Sequence, residues 1–385
     1  MKIAPFLFLV VLATSCTKNQ HVTKTQNQKQ AYGQTESCTF GRVVYNTSKR
    51  PAVNEEQSRK NGGTSNELPP PTTPAATILI SFGGYRVSNT PWNTNGDIYC
   101  AGANLSPDEI EKVLTRVKED FAPFNVTVTT NEMTYHLTHP QKRMRVVVTE
   151  SWEWHGMAGG VAFYDSFTWG NDTPCFVFST LLSYNEKYIA EAVSHEVGHT
   201  LGLKHQASYS SSCQFLNEFN EGGGEGLMSW APIMGNSYYR NVTTWHKGKT
   251  SSCGDLQDDV ANIAAIIGFK KDETSDMANA VELKANLYAV MNNSTDTDYY
   301  FIDSKDPITI TVSPKCIGND IGANMHLQVK VYKKNGNLVA TVANQSSLSV
   351  SAPLDKGKYY VAVETFDNMH QTRYGMLGNY GVSIN

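Results

Sequence analysis

Three histidines and one glutamate recur at fixed spacing in the stretch HEVGHTLGLKH, residues 195–205. His195 and His199 are four residues apart, so on a helix they share one face and can both reach one metal ion. Gly202 tolerates a positive φ, which lets the chain turn out of the helix and bring His205 to the other side of that ion. Three neutral nitrogen ligands with one open position are typical of a catalytic zinc site.

Glu196 follows the first predicted ligand and supplies a carboxylate beside the metal. There it could act as a general base towards water held at the open position. The alternative is a surface helix with two solvated histidines. The third histidine, and the apolar stripe formed by Ile189, Val193 and Val197 behind the metal face, favour the zinc site.

A second landmark is Ala231–Gly235, which reads APIMG and follows a glycine-rich stretch at residues 222–226. A long zinc motif followed by such a methionine resembles the metzincin clan of zinc endopeptidases. The resemblance implies that Met234 forms a hydrophobic floor beneath the three histidines. An ordinary methionine that fills a gap in the core is the alternative.

The match to that clan has departures. Gln206, which follows the third histidine, fits no common metzincin pattern, and Asn236 stands where some members have a tyrosine ligand. Tyr238 and Tyr239 are candidates for contacting substrate and a transition-state oxyanion. Exposed loop tyrosines without a role are the alternative.

The order of predicted elements is similar to that of a metzincin catalytic domain. The resemblance implies an α/β (α+β) fold with a mixed five-stranded sheet and an active-site helix, closed by a helix at residues 254–269. It also implies that the edge strand of the sheet pairs with the bound peptide by main-chain hydrogen bonds. Val161–Asp165 occupies that position, so Val161, Ala162 and Phe163 are candidate substrate-binding residues. The predicted elements before the active-site helix are a strand at 76–82, a helix at 106–121, and strands at 125–130, 143–149, 161–167 and 175–179.

Beyond residue 271 the pattern changes to alternating strands with an Asn335-Gly336 hairpin turn. Residues 272–385 are predicted to form an all-β sandwich, which resembles the bacterial pre-peptidase C-terminal domain. Asp296 and Asp298 are candidate ligands for Ca²⁺, with acidic turn residues as the alternative.

The N-terminus has the features of an export signal. Lys2 is followed by an apolar run, Ile3–Ala13, which is too short to span a bilayer and is typical of a secretory signal peptide over residues 1–15. Small residues before Cys16 resemble a bacterial lipobox, which implies lipidation of Cys16 and membrane attachment without a spanning helix. Simple cleavage that discards Cys16 is the alternative.

Residues 16–72 are predicted to form a polar tether with a short pro-segment. Because metzincin zymogens often block the zinc with a residue from such a segment, Cys38 is a candidate plug, with a disulfide as the alternative.

Seven cysteines are present, and an even number remains once Cys16 is set aside, which suggests disulfides. Cys213 with Cys253, and Cys100 with Cys175, are the expected pairs.

The predicted function is an exported zinc-dependent endopeptidase, either a bacterial outer-membrane lipoprotein or a secreted enzyme. We expect catalytic residues in 73–271 and a monomer acting on proteins or peptides. A net charge of −4 without a long basic run argues against nucleic-acid binding. Two alternatives stay open: a surface lipoprotein that binds proteins or glycans as an adhesin, and a zinc hydrolase of a non-peptide bond.

Overall fold

A computed structural model describes residues 34–38, 45–53, 73–272, 276–284, 286–315, 322–344 and 346–385. The predicted signal peptide, Cys16 and Cys316 lie outside these residues. In the part of the chain that is described, no helix is both long enough and apolar enough to cross a membrane.

A mixed sheet with the strand order β1-β7-β8-β6-β2-β5 organises the α/β part, residues 73–272. Four strands are parallel, β7 is antiparallel to its neighbour β8, and the short strand β1 is added outside β7. The predicted five-stranded mixed sheet is therefore confirmed, and a sixth strand from the N-terminal segment extends it. The strands of this sheet are β1 Thr35–Ser37, β2 Thr77–Ser81, β5 Thr127–Thr129, β6 Arg143–Thr149, β7 Gly160–Phe163 and β8 Cys175–Phe178.

In the residues that the structure describes, four α-helices accompany the sheet, and each begins at a side-chain cap. Helix α1 has the predicted capping box, in which Ser106 and Glu109 satisfy each other's backbone N–H groups. Helix α4 begins at Asp259 and not at 254, because residues 256–258 pair as a strand with 247–249 and Asp258 then caps the helix. The helices are α1 Pro107–Asp120, α2 Glu132–Leu137, α3 Glu186–Thr200 and α4 Asp259–Ile267.

Alternate side chains of the central strands enter two separate cores. Ile78, Val146 and Val148 pack under α1 and α3 on one face, and Val147 and Phe176 pack on the other. Sheets covered on both faces have nearly continuous apolar strands, which is the pattern seen here.

This alternation corrects one predicted disulfide. Cys175 belongs to the core beneath the helices and Cys100 to the core on the opposite face, so both keep a free thiol. The other predicted pair, Cys213–Cys253, is a disulfide as expected.

The segments between the main elements of the α/β part contain four small two-stranded sheets, within the described residues. Their strands are β3 Tyr85–Val87, β4 Ile98–Cys100, β9 Ser208–Tyr209, β10 Phe215–Asn217, β11 Trp230–Pro232, β12 Val242–Thr244, β13 Lys247–Lys249 and β14 Leu256–Asp258.

The described residues between 276 and 385 form the predicted β-sandwich, in which a five-stranded and a four-stranded sheet face each other across one apolar core. Gly336 has φ of +84° in the turn between β19 and β20, as the Asn-Gly pair predicts. The strands are β15 Val281–Glu282, β16 Leu287–Met291, β17 Thr297–Ser304, β18 Ile308–Pro314, β19 Leu327–Lys333, β20 Leu338–Ala343, β21 Val350–Leu354, β22 Gly357–Thr365 and β23 Gly378–Ile384.

Buried hydrogen bonds join the sandwich to the active-site helix. Asn379 donates from its backbone N and its Nδ2 to the carboxylate of Glu119, at 2.6 and 2.5 Å. Asn324 Nδ2 donates to Asp120 Oδ1 at 3.0 Å, and Asp120 Oδ2 accepts a hydrogen bond from Ser194 of helix α3. The end of helix α1 therefore links the sandwich to the helix that carries His195.

The burial of Glu119 predicts a pH-dependent stability. Burial raises the pKa of Glu119 to about 7, although hydrogen bonds from Asn379 lower it. Because the folded state then holds the proton more tightly than the unfolded state, the free energy of unfolding should fall as pH rises from the ordinary value of 4.5 towards 7. Glu119→Gln should flatten this fall by at most about 3 kcal/mol, measured by urea unfolding across that range. Equal slopes for both proteins would contradict the prediction.

Candidate active site

Helix α3 positions the first two histidines and ends where the third must diverge. Asn185 caps its start by accepting hydrogen bonds from the N–H groups of residues 187 and 188, and the helix ends at Thr200. Gly202 then has φ of +87°, as the sequence predicts, and a Cβ there would lie 2.5 Å from Asp165 Oδ1. Glycine is therefore needed at this turn for its backbone and for the space beside it.

The three histidines converge in a buried site. His199 Nε2 lies 3.1 Å from His205 Nε2, and the ring centroid of His195 is 4.7 Å from that of His199 and 5.2 Å from that of His205. Each Nδ1 faces an oxygen: Ile233 O for His195, Leu203 O for His199 and Glu218 Oε1 for His205. With Nδ1 as donor, the Nε2 lone pairs are left facing the common centre.

Burial keeps the imidazoles of helix α3 neutral. It lowers the pKa of His195 to about 3 and the pKa of His199 well below its ordinary value, and in both cases the neighbouring histidines act in the same direction. Neutral imidazole is the form that binds a metal ion.

Cys38 completes the cluster with a thiol. Its Sγ lies 3.3 Å from His199 Nε2 and 3.2 Å from His205 Nε2, and one ligand atom from each of the four residues lies within 4.8 Å of the others. A tetrahedral zinc ion with ordinary bond lengths places its ligand atoms about 3.3–3.6 Å apart. The donor set and spacing therefore fit zinc, and the thiol faces the histidines in preference to the disulfide that the sequence left as an alternative.

Strand β1 sets the position of Cys38. Thr35, Glu36 and Ser37 pair antiparallel with Phe163, Ala162 and Val161 in turn. Further along, Gly159 N donates to Cys38 O at 2.9 Å. The side chains of Val161, Ala162 and Phe163 are buried, so their contact with an extended peptide is through the main chain. The chain's own N-terminal segment lies on the edge at which the sequence predicts a bound peptide.

Glu196 is fully buried beside this edge strand. A Cβ on Gly160, the first residue of β7, would lie 2.5 Å from Glu196 Oε1 and 2.6 Å from its Cγ. Space for the candidate base therefore depends on a glycine in another element. The contact of Gly160 with Glu196 was not predicted from the sequence, although the Gly159-Gly160 pair before the edge strand is a usable signal.

Met234 lies beneath the helix between the first two histidines. It is fully buried, and a Cβ on Gly198 would lie 2.5 Å from its Sδ. Gln206 N donates to Met234 O at 2.8 Å, so the methionine turn also holds the backbone just after His205. The methionine therefore lies against helix α3 at Gly198, and its role as a floor beneath the three histidines stays a prediction of the metzincin resemblance.

The residues that depart from the clan have structural contacts. Gln206 is buried and donates from Nε2 to His246 O at 2.9 Å, and Asn236 is buried with its N–H on Asn220 O. Tyr239 is exposed, but Tyr238 is buried, so the exposed-loop interpretation is wrong for Tyr238. Burial raises the pKa of the Tyr238 phenol, and Tyr45, Cys38 and Glu196 raise it further.

The candidate calcium residues have partners within the fold. Asp296 Oδ2 accepts a hydrogen bond from Asn292 N at 2.8 Å, and Asp298 Oδ2 accepts one from the hydroxyl of Tyr380. Both carboxylates lie close to that of Asp272. One carboxylate oxygen from each of these three residues lies within 4.8 Å of the others, so the group could hold a metal ion, and Asp298 lies in strand β17 and not in a turn.

Comparison with known proteins identifies the central segment. Residues 155–259 match the family model of the reprolysin-like metallopeptidases of family M12B. This segment is therefore similar to a metallopeptidase domain of that type. The matched residues include strand β7, Glu196, Met234 and the three histidines. The match therefore agrees with the metzincin resemblance of the zinc motif. No curated protein matches the sequence.

Solved structures give weak overall likenesses. The pre-peptidase C-terminal domain of collagenase from Bacillus anthracis is 18% identical, with 30% of this chain and 98% of that chain covered at a TM-score of 0.21. Myroilysin is 17% identical, with 42% of this chain and 62% of that chain covered at a TM-score of 0.20. PliG from Aeromonas hydrophila, a periplasmic inhibitor of g-type lysozyme, is 16% identical, with 30% and 100% covered at a TM-score of 0.19.

The contact between Gly160 and Glu196 predicts a selective loss of peptidase activity. Gly160→Ala should displace the carboxylate and lower peptide cleavage about 100-fold, because a shift of roughly 1 Å in a catalytic group costs that much. The amount of metal bound per chain should not change. Gly254→Ala, where a Cβ meets no atom within 4 Å, is the matched control. Full activity in Gly160→Ala would contradict the prediction.

Proposed function

We propose that this protein is an exported zinc-dependent endopeptidase whose own N-terminal segment keeps it latent. One observation carries the proposal: three histidine Nε2 atoms and Glu196 meet beside a sheet edge that already holds an extended peptide, residues 34–38. The metallopeptidase match of residues 155–259 supports the same reaction class.

His195, His199 and His205 would hold the zinc ion. Their Nδ1 atoms face oxygen acceptors, their Nε2 atoms face each other, and burial keeps the helical pair neutral. When bound, zinc supplies Lewis acidity, which polarises a carbonyl and makes water nucleophilic near neutral pH.

Glu196 moves the proton in the proposed reaction. Its carboxylate accepts a proton from the attacking water as the water oxygen bonds to the scissile carbonyl carbon. It then gives that proton to the amide nitrogen as the C–N bond breaks, which leaves a carboxylic acid and an amine; the acid then loses its remaining proton to the amine or to water. Burial of Glu196 beside Gly160 holds the carboxylate in one place for both transfers.

Strand β7 would bind the substrate backbone. The pairing of β1 with β7 demonstrates that this edge accepts an extended chain through main-chain hydrogen bonds. Such binding depends little on side chains and lets a peptide continue past the site in both directions. Internal bonds of proteins or peptides are therefore the proposed substrates. Main-chain pairing at the β7 edge favours an endopeptidase over an adhesin or a hydrolase of non-peptide bonds.

Latency follows from the place of Cys38. Its thiol lies at the position left open by three histidine ligands, and β1 fills the adjacent peptide-binding edge. Displacement of residues 34–38 would free both together.

The wider assignment rests on sequence features. The apolar run before Cys16 supports export as a lipoprotein or secreted protein, and the Cys213–Cys253 disulfide agrees with an oxidising compartment. We propose residues 73–271 as the catalytic domain of a monomer, with 272–385 as an accessory domain.

Loss of the general base tests the reaction. Glu196→Ala should lower casein or peptide cleavage about 100- to 10,000-fold while zinc content stays at that of the wild type. A chelator should abolish wild-type cleavage, and added zinc should restore it. Cleavage by Glu196→Ala at wild-type rates, or cleavage unaffected by the chelator, would overturn the mechanism.

Loss of the thiol tests latency. Cys38→Ser in the full chain should raise the initial rate of peptide cleavage about tenfold or more, equivalent to roughly 1.4 kcal/mol of thiol binding. Gel analysis should show the chain intact at the time of the assay. Cys100→Ser, which removes a thiol far from the histidines, is the control. An unchanged rate in Cys38→Ser would exclude Cys38 as the block.

A further inference from the structure

The three candidate metal ligands, His195, His199 and His205, differ in the group that lies against Nδ1 of the ring. For His195 and His199 the acceptor at Nδ1 is a backbone carbonyl, at 2.7 Å in each case. For His205 the acceptor is the carboxylate of Glu218, at 3.1 Å from Oε1 to Nδ1. Within the residues that the structure describes, the printed Nδ1 contact of His205 is thus with an ionisable group, whereas those of His195 and His199 are with backbone carbonyls.

His205 also differs in its backbone support. The other two histidines lie on helix α3, whereas His205 follows Gly202 in a segment without regular structure. Its ring packs against Phe219, with centroids 4.4 Å apart. The orientation of His205 therefore depends on the segment that carries residues 218 and 219.

That segment is fixed to the chain on both sides. Asn220 N donates to Gln206 O at 2.7 Å, and Asn236 N donates to Asn220 O at 2.9 Å, so the segment lies between the third histidine and the methionine turn. Before it, strand β10 pairs with β9 in a hairpin whose turn holds Cys213, the partner of Cys253. These hydrogen bonds and the disulfide fix the loop that places Glu218 beside His205, and this loop lies outside the zinc motif.

We propose that Glu218 is a positioning residue that orients His205 and strengthens it as a metal ligand. The inference rests on the proposed function for the zinc site itself. A carboxylate on the Nδ1–H group of a ligand histidine fixes the ring and makes Nε2 more basic, and loss of such a partner costs about 10- to 100-fold in metal affinity. Zinc affinity in this protein then depends on a residue 13 positions beyond the last histidine.

Zinc affinity of the full chain tests the proposal. We would measure the dissociation constant by competition with a chromophoric chelator, for wild type and for the Cys38→Ser variant, in which the thiol does not add to binding. Glu218→Ala should weaken zinc binding about 10- to 100-fold in the Cys38→Ser background. Glu218→Gln, which keeps an acceptor oxygen but loses the charge, should fall between. The control is Glu225→Gln, an exposed glutamate of the same loop without a side-chain capping bond.

Two further measurements separate the role of Glu218 from general stability. The melting temperature of metal-free Glu218→Ala should match that of metal-free Glu225→Gln. The visible spectrum of the Co²⁺ form should shift in Glu218→Ala but not in Glu225→Gln. Zinc affinities within twofold of the parent for both Glu218 variants would overturn the inference. If His199→Ala also left zinc binding intact, the proposed zinc site would fail instead.

Discussion

The elements of the α/β part bring three imidazoles together in a buried site. Burial and the neighbouring histidines lower the pKa of His195 and of His199, so the two rings on helix α3 are neutral, and each must then adopt one tautomer. The oxygens at Nδ1 provide that tautomer, and they come from three places: the methionine turn, the end of helix α3 and the loop after β10. The fold must therefore fix these three segments together before any metal can bind.

The β-sandwich also helps to position helix α3, through hydrogen bonds to the end of helix α1. Two carboxylates at the end of helix α1 are buried, and they accept hydrogen bonds from Asn324, Asn379 and Ser194. Without such donors, burial of these carboxylates would lower the stability of the folded protein. The α/β part therefore depends on the β-sandwich for hydrogen bonds to its buried polar groups. A β-sandwich joined in this way supports the end of helix α1 and, through Asp120 and Ser194, helix α3.

The sequence predicted what is local and periodic. The spacing of the histidines, the turn at Gly202, the capping box at Ser106 and the hairpin at Gly336 each depend on neighbouring residues, and each is present. Contacts between distant segments could not be read in the same way. The distance from Cys100 to Cys175 depends on which face of a sheet each side chain enters, and the roles of Gly160 and Glu218 depend on how β7 and the loop after β10 pack on helix α3. The strand that precedes Cys38 was missed because its pairing partner lies more than 120 residues away.

The pairing of β1 with β7 also bears on solubility. An unpaired strand edge exposes a row of N–H and C=O groups to which any extended chain can add, including another copy of the same protein. In the present arrangement residues 34–38 cover that row. Under the proposed latency, displacement of this segment would expose the candidate metal site and the strand edge together, and the free edge could then pair with a substrate strand or with another copy of the protein.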